Sequence, residues 1–256
     1  YYFRNGESEC SNNSADYNAY YNRSTGVLTL RNYSGGSIEI ASTGKNITIV
    51  LEGKNSVNNG SINGKRGCNI TITSSKGGTL SITSRTTRTA AIGIATGYTG
   101  GTNTGDVIIT GNAEVTIDSA NSGTSGAVAA YGIYAKKNIT ISGNASVDIT
   151  CATPSNTASY NCYGIFASSK LTVNTKGEIV VDVINAGNSN TCSIGIQSNS
   201  APELTKVGSM IVEWTKDESD PTNSGAAIYK SHSFSAETHA VNIDKANCYA
   251  SYRYGT

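Results

Sequence analysis

A short phrase returns along this chain at a nearly fixed interval. It reads Ile92-Gly93-Ile94, Tyr131-Gly132-Ile133, Tyr163-Gly164-Ile165, Ile194-Gly195-Ile196 and Ala226-Ala227-Ile228. The final isoleucines stand 39, 32, 31 and 32 residues apart, and Ile62 lies 32 before Ile94. A period in the low thirties, built from short β-branched runs and Gly/Asn turns, points to a solenoid. The 256 residues then form one elongated repeat unit, and function must be sought on the faces of a rod.

Each period carries two further phrases. The first is Asn46-Ile47-Thr48-Ile49, Asn69-Ile70-Thr71-Ile72, Asp106-Val107-Ile108-Ile109, Asn138-Ile139-Thr140-Ile141 and Lys170-Leu171-Thr172-Val173. The second is Leu80-Ser81-Ile82, Val115-Thr116-Ile117, Val147-Asp148-Ile149, Ile179-Val180-Val181 and Met210-Ile211-Val212, with Gly or Ala two positions ahead. Period-2 alternation sends one aliphatic set inward and the polar set outward. Three short strands per turn describe an all-β, right-handed parallel β-helix of about six turns. The expected layout is an N-terminal cap over 1–36, the helix over 37–230 and a C-terminal cap over 231–256. Insertions are expected between the second and third strands, at 83–91, 118–130, 150–162, 182–193 and 213–225.

Hydrophobic content is 37% and charged content 14%, with 28 Gly and 3 Pro; the regular alternation argues against the disorder that so polar a chain could otherwise adopt. The net charge of +1 gives no bulk attraction to nucleic acid. No apolar run approaches the roughly 20 residues of a membrane span. The chain opens at Tyr1 without a signal peptide, which reads as a mature or excised segment of an extracellular or cell-surface protein. Nine of the 15 tyrosines fall in residues 1–35 and 249–254, where open strand edges need covering; an end-to-end assembly surface is the functional alternative. Asn46, Asn69 and Asn138 each begin a glycosylation sequon, but they share one repeat position, so repeat chemistry accounts for them.

The cysteines are Cys10, Cys68, Cys151, Cys162, Cys192 and Cys248, without a CxxC or metal-finger spacing. Some disulfides are expected, with six buried thiols as the alternative. Cys162 and Cys192 are expected to be near neighbours on successive turns, Cys151 to Cys162 competes across one loop, and Cys10 pairs most plausibly with Cys68 among the caps.

Phrases such as KNITISGNASVDI and AYGIYAKKNITISG resemble the right-handed β-helical carbohydrate-binding domains of bacterial cell-surface proteins, over roughly residues 37–232. That resemblance implies a pectate-lyase-like fold without the lyase site, and an association with acidic plant polysaccharide and calcium.

Strict alternation around the inward isoleucines fixes the outer columns of the third strand. Gly93, Gly132, Gly164, Gly195 and Ala227 become a side-chain-free floor. Beside it stand Ala95, Tyr134, Phe166, Gln197 and Tyr229. Exposed aromatic rings beside such a floor suit sugar binding; loops folding over the face is the alternative. Lys136, Lys137, Lys170 and Lys230, preceded by Lys65 and Arg66, are expected to line the next corner and hold a uronate chain by charge-assisted bonds. The second strand turns carboxylates outward, and Asp118 with Asp148, or Asp182 with Glu213, are candidate calcium pairs. Arg85 and Arg88 are placed in an insertion away from these acids. No nucleophile motif surrounds any Ser or Cys, so no catalytic residue is assigned. The leading expectation is a non-catalytic polysaccharide binder for acidic glycans. The alternatives are a structural stalk, adhesin or filament subunit assembling through its ends, and a polysaccharide lyase or glycoside hydrolase.

Overall fold

In a computed structural model of the chain, every described element is a strand. The structure describes residues 2–3, 17–40, 45–65, 67–87, 90–98, 104–123, 128–153, 160–185, 192–200, 202–216, 224–230, 242–244 and 248–254. The strands form three sheets of ten, eight and seven strands that run side by side along a parallel β-helix. The three recurring phrases of the sequence occupy one sheet each. The first sheet holds, among others, Asn46–Glu52, Asn69–Ser74, Val107–Gly111, Ile139–Gly143 and Leu171–Thr175. The second holds Thr79–Thr86, Glu114–Asn121, Ser146–Thr153 and Glu178–Asn185, and the third Ala90–Thr96, Val128–Ala135, Tyr160–Ala167 and Cys192–Ser198.

Register follows the hydrophobic pattern. Ile62, Ile94, Ile133, Ile165, Ile196 and Ile228 lie directly opposite one another on successive turns, with Ile38 extending the column at its start. Ile47, Ile70, Val107, Ile139 and Leu171 form a matching column in the first sheet. Ile82, Ile117, Ile149 and Val181 form one in the second. The members from Ile62 to Ile196, with those of the other two columns, are buried. A shift of one residue would turn a whole column into solvent, so the aliphatic periodicity sets the stacking.

Two features depart from the sequence expectation. The second strands run longer: Thr79–Thr86, Glu114–Asn121, Ser146–Thr153, Glu178–Asn185 and Ser209–Lys216 take in residues assigned to insertions. Those insertions shrink accordingly, and their former edges become paired strand. Parallel pairing also continues past residue 230, through Asn242–Asp244 and Cys248–Tyr254. At the other end, Tyr2–Phe3 and Ala19–Asn22 pair antiparallel before Val27–Arg31 begins the parallel stack.

The corners are closed by side chains. Ser74 Oγ donates to the Leu51 carbonyl at 2.9 Å and accepts the Gly78 amide at 2.7 Å. Thr175 Oγ1 donates to the Ala145 carbonyl at 2.7 Å. These bonds satisfy backbone groups that burial would otherwise strand. The sequon asparagines act likewise. Asn69 Nδ2 donates to Asn46 Oδ1 at 2.8 Å, Asn69 Oδ1 accepts the Asp106 amide at 2.8 Å, and Asp106 Oδ1 accepts both the amide and Nδ2 of Asn138 at 3.0 Å.

Candidate functional site

The outer face of the third sheet carries the aromatic side chains, in an arrangement that strict alternation did not give. The glycine column turns inward. A Cβ placed on Gly93 would stand 2.3 Å from Ile117 Cγ2, on Gly132 2.4 Å from Ile149 Cγ2, and on Gly164 2.2 Å from Val181 Cγ1. These glycines let the second and third sheets approach, and strand pairing skips them. Each strand therefore points two successive residues inward, Gly132 and Ile133 for example, and both are buried. The phase of the pleat flips at that point. Tyr131 and Tyr134, three apart in sequence, reach the same outer face.

Five rings gather there. Tyr131 and Tyr163 stack across neighbouring turns with centroids 5.2 Å apart and planes 9° from parallel. Tyr134 and Phe166 do the same at 5.1 Å and 4°. The two stacks are nearly perpendicular: Tyr131 meets Tyr134 at 79° and Tyr163 meets Phe166 at 76°. Tyr98, in the turn after Ala90–Thr96, leans edge-on against Tyr131 and Tyr134 at 5.5 and 5.1 Å. Offset stacks and T-shaped contacts are the arrangements the ring quadrupole favours. Much of each ring face is spent on another ring. Burial pushes the Tyr131 hydroxyl well above the usual phenol range, reinforced by Tyr98 and Tyr134; burial raises Tyr98 as well.

The patch is bounded along the rod. Tyr131 and Tyr163 share their column with Ile92 and Ile194, and Tyr134 and Phe166 share theirs with Ala95 and Gln197. Ile92, Ala95, Ile194 and Gln197 are buried, whereas the four aromatic residues are half-buried. Gln197, expected as a contact residue, is 8% exposed and its Oε1 has no hydrogen-bond partner among the described residues. Tyr229 sits opposite Gln197 and Lys230 opposite Ser198; only their strand placement is described.

Three lysines of the corner are already partnered. Lys65 Nζ lies 2.7 Å from Glu39 Oε2, Lys137 Nζ 3.7 Å from Asp106 Oδ2, and Lys170 pairs with Glu203. Each carboxylate comes from an adjacent turn, so opposite charges alternate along the axis. Lys136 carries no ion pair among the described residues, and Arg66 lies outside them.

The acidic columns are only partly as expected. Asp182 stands directly opposite Glu213. Asp118 faces Thr150 while Asp148 faces Thr116, which offsets that pair by two residues. Arg85 is a strand residue, not an insertion residue, and its guanidinium forms a two-pronged pair with the Asp118 carboxylate; Arg88 is outside the described residues. Among the described residues, no three His, Cys, Asp or Glu side chains come together as a metal cluster. A shallow groove of about 280 Å³ crosses this face, lined by Glu114, Thr116, Ser146, Asp148, Glu178 and Val180.

Cys68, Cys151 and Cys162 are buried, and Cys151 and Cys162 are free thiols. Cys192 falls opposite Asn161, not Cys162, whose partner is Ser193. The expected Cys162–Cys192 neighbours are thus offset by one residue in the register. Cys10 is outside the described residues, and of Cys192 and Cys248 only the strand placement is described.

Tyr98, Tyr131 and Tyr163 are the patch residues that alternation missed. The recurrence of Tyr131 and Tyr163 at one repeat position, two residues before an inward isoleucine, is the signal that a phase break could have recovered. Comparison with protein-family models, curated proteins and solved structures finds no match to this chain.

Proposed function

We propose that this protein is a non-catalytic, exported polysaccharide-binding β-helix whose contact surface is the aromatic patch of the third sheet. The observation that carries this reading is the gathering of half-buried rings at Tyr98, Tyr131, Tyr134, Tyr163 and Phe166, while Ile92, Ala95, Ile194 and Gln197, in the same columns on the flanking turns, are buried. Interior packing does not require large rings on an outer face, and amphipathic aromatic patches of this kind mark interaction surfaces. A sugar chain laid along the rod would meet ring edges and hydroxyls on successive turns.

The charge balance favours neutral over uronate glycans. Lys65, Lys137 and Lys170 already face carboxylates, so a polymer carboxylate would have to displace them for little gain, since exposed pairs contribute only about 0–1 kcal/mol. A glycan array run with and without EDTA tests the proposal: retention of neutral polymers, unchanged by EDTA, supports it. EDTA-sensitive retention of polygalacturonate alone would restore the uronate and calcium expectation.

One observation favours a second reading. The rings stack on each other and the ion pairs close between turns, which suits a self-contained stalk or filament subunit. Sedimentation velocity distinguishes the two, because concentration-dependent rods without glycan retention belong to the scaffold.

A further inference from the structure

We propose that Cys151 and Cys162 close a disulfide while the chain folds, and that the folded protein then holds whichever redox state it folded in. Cys151 lies in the second-sheet strand Ser146–Thr153 and Cys162 in the third-sheet strand Tyr160–Ala167 that follows it in the same turn. Both are 0% exposed. Cys151 Sγ lies 3.2 Å from the carbonyl of Tyr163, the residue after Cys162, which brings the two buried side chains together at one corner. The position is specific to this turn. The column through Cys151 holds Ser84 and Ser119 on the two preceding turns, and the column through Cys162 holds Ala91 and Ala130. Among the described residues, this is the one turn in which both columns hold cysteine.

The chemistry balances with a small-molecule disulfide such as glutathione disulfide as oxidant. One cysteine thiolate attacks the oxidant, expels a glutathione thiolate and leaves a mixed disulfide. The second cysteine thiolate attacks that bond and expels the other glutathione. Two electrons and two protons leave the protein with the two glutathione thiols, and one S–S bond remains. Each attack needs an exposed thiolate. Burial pushes the Cys162 thiol up, and neither sulfur reaches solvent. Oxidation and reduction are therefore open to the unfolded chain and closed to the native one.

The full chain is refolded from denaturant either with reduced and oxidised glutathione or with dithiothreitol. Each native product is then challenged with the opposite reagent, denatured, alkylated and peptide-mapped. The glutathione-refolded protein should carry a Cys151–Cys162 link and melt roughly 5–10 °C above the reduced form, as expected for a short closed loop. Each product should keep its state through the native challenge and lose it once unfolded. Alkylation of both residues after glutathione refolding, or a link from either to another cysteine, overturns the disulfide. Native exchange as fast as in denaturant overturns the locking. Should refolding fail, the same map on protein made in an oxidising and a reducing cell compartment gives the same decision.

Discussion

Tyr131 and Tyr163 stack 5.2 Å apart and 9° from parallel on neighbouring turns, and the inward glycine that follows each of them puts both rings outside. The stack couples stability to pH. Tyr131 titrates above its ordinary value of 10.0 because it is buried, so the folded state holds its proton longer than the unfolded chain. This contribution is fully present below about pH 10 and is lost as pH rises toward the folded value. Thermal melts from pH 8 to pH 11 should show a fall that is smaller in Tyr131→Phe than in the wild type. Equal falls would detach the alkaline loss from this hydroxyl.

The glycine column makes a separate prediction. Gly132→Ala drives a methyl to 2.4 Å from Ile149 Cγ2 and 2.5 Å from the Gly164 carbonyl. Overpacking of that kind costs about 1–3 kcal/mol. Gly36→Ala meets nothing within 4 Å and should stay within about 0.5 kcal/mol of wild type. Denaturant unfolding reads both, and equal stability of the two variants would contradict the inward phase.

At the corner, hydrogen bonds should outweigh charge. Asp106→Ala strands the amide and side-chain nitrogen of Asn138, both bonded at 3.0 Å, and should cost about 1–3 kcal/mol. Lys137→Gln breaks only a 3.7 Å exposed pair and should cost under about 1 kcal/mol. A larger loss from the lysine change would mean that the ion pair carries the corner.

Gln197 predicts an unusual sign. Its Oε1 is buried without a partner among the described residues, and removing an unsatisfied group while keeping its volume is neutral or stabilising. The melting temperature of Gln197→Met should therefore equal or exceed that of the wild type. A drop of several degrees would reveal a bond to this carbonyl.

The strand sets and their register were legible from residues alone. A column such as Ile62 to Ile228 repeats in sequence because every turn must present the same face to one dry interior. The face of Tyr131 was not legible, because period-2 alternation assumes an unbroken pleat and Gly132 has no side chain to signal its direction. Ion pairs such as Lys137–Asp106 were hidden for another reason. They join residues a full turn apart, and their meeting depends on corner geometry that strand phrases do not encode. Arg85 was misplaced by the same limit, since strand length beyond the aliphatic phrase leaves no periodic trace in its polar end.

The central claim is tested most directly by affinity electrophoresis of three proteins: wild type, Tyr98→Phe/Tyr134→Phe, and Tyr134→Ala/Phe166→Ala with folding checked by circular dichroism. The gels contain hydroxyethylcellulose, arabinoxylan, galactomannan or polygalacturonate. The wild type should be retarded by at least one neutral polymer. The phenylalanine variant should lose part of that retardation while melting unchanged, since its stacks survive, and the alanine variant should lose most of it. A wild type retarded by none of the four, or retardation that persists without the Tyr134 and Phe166 rings, would contradict the assignment of the aromatic patch as a glycan-binding surface.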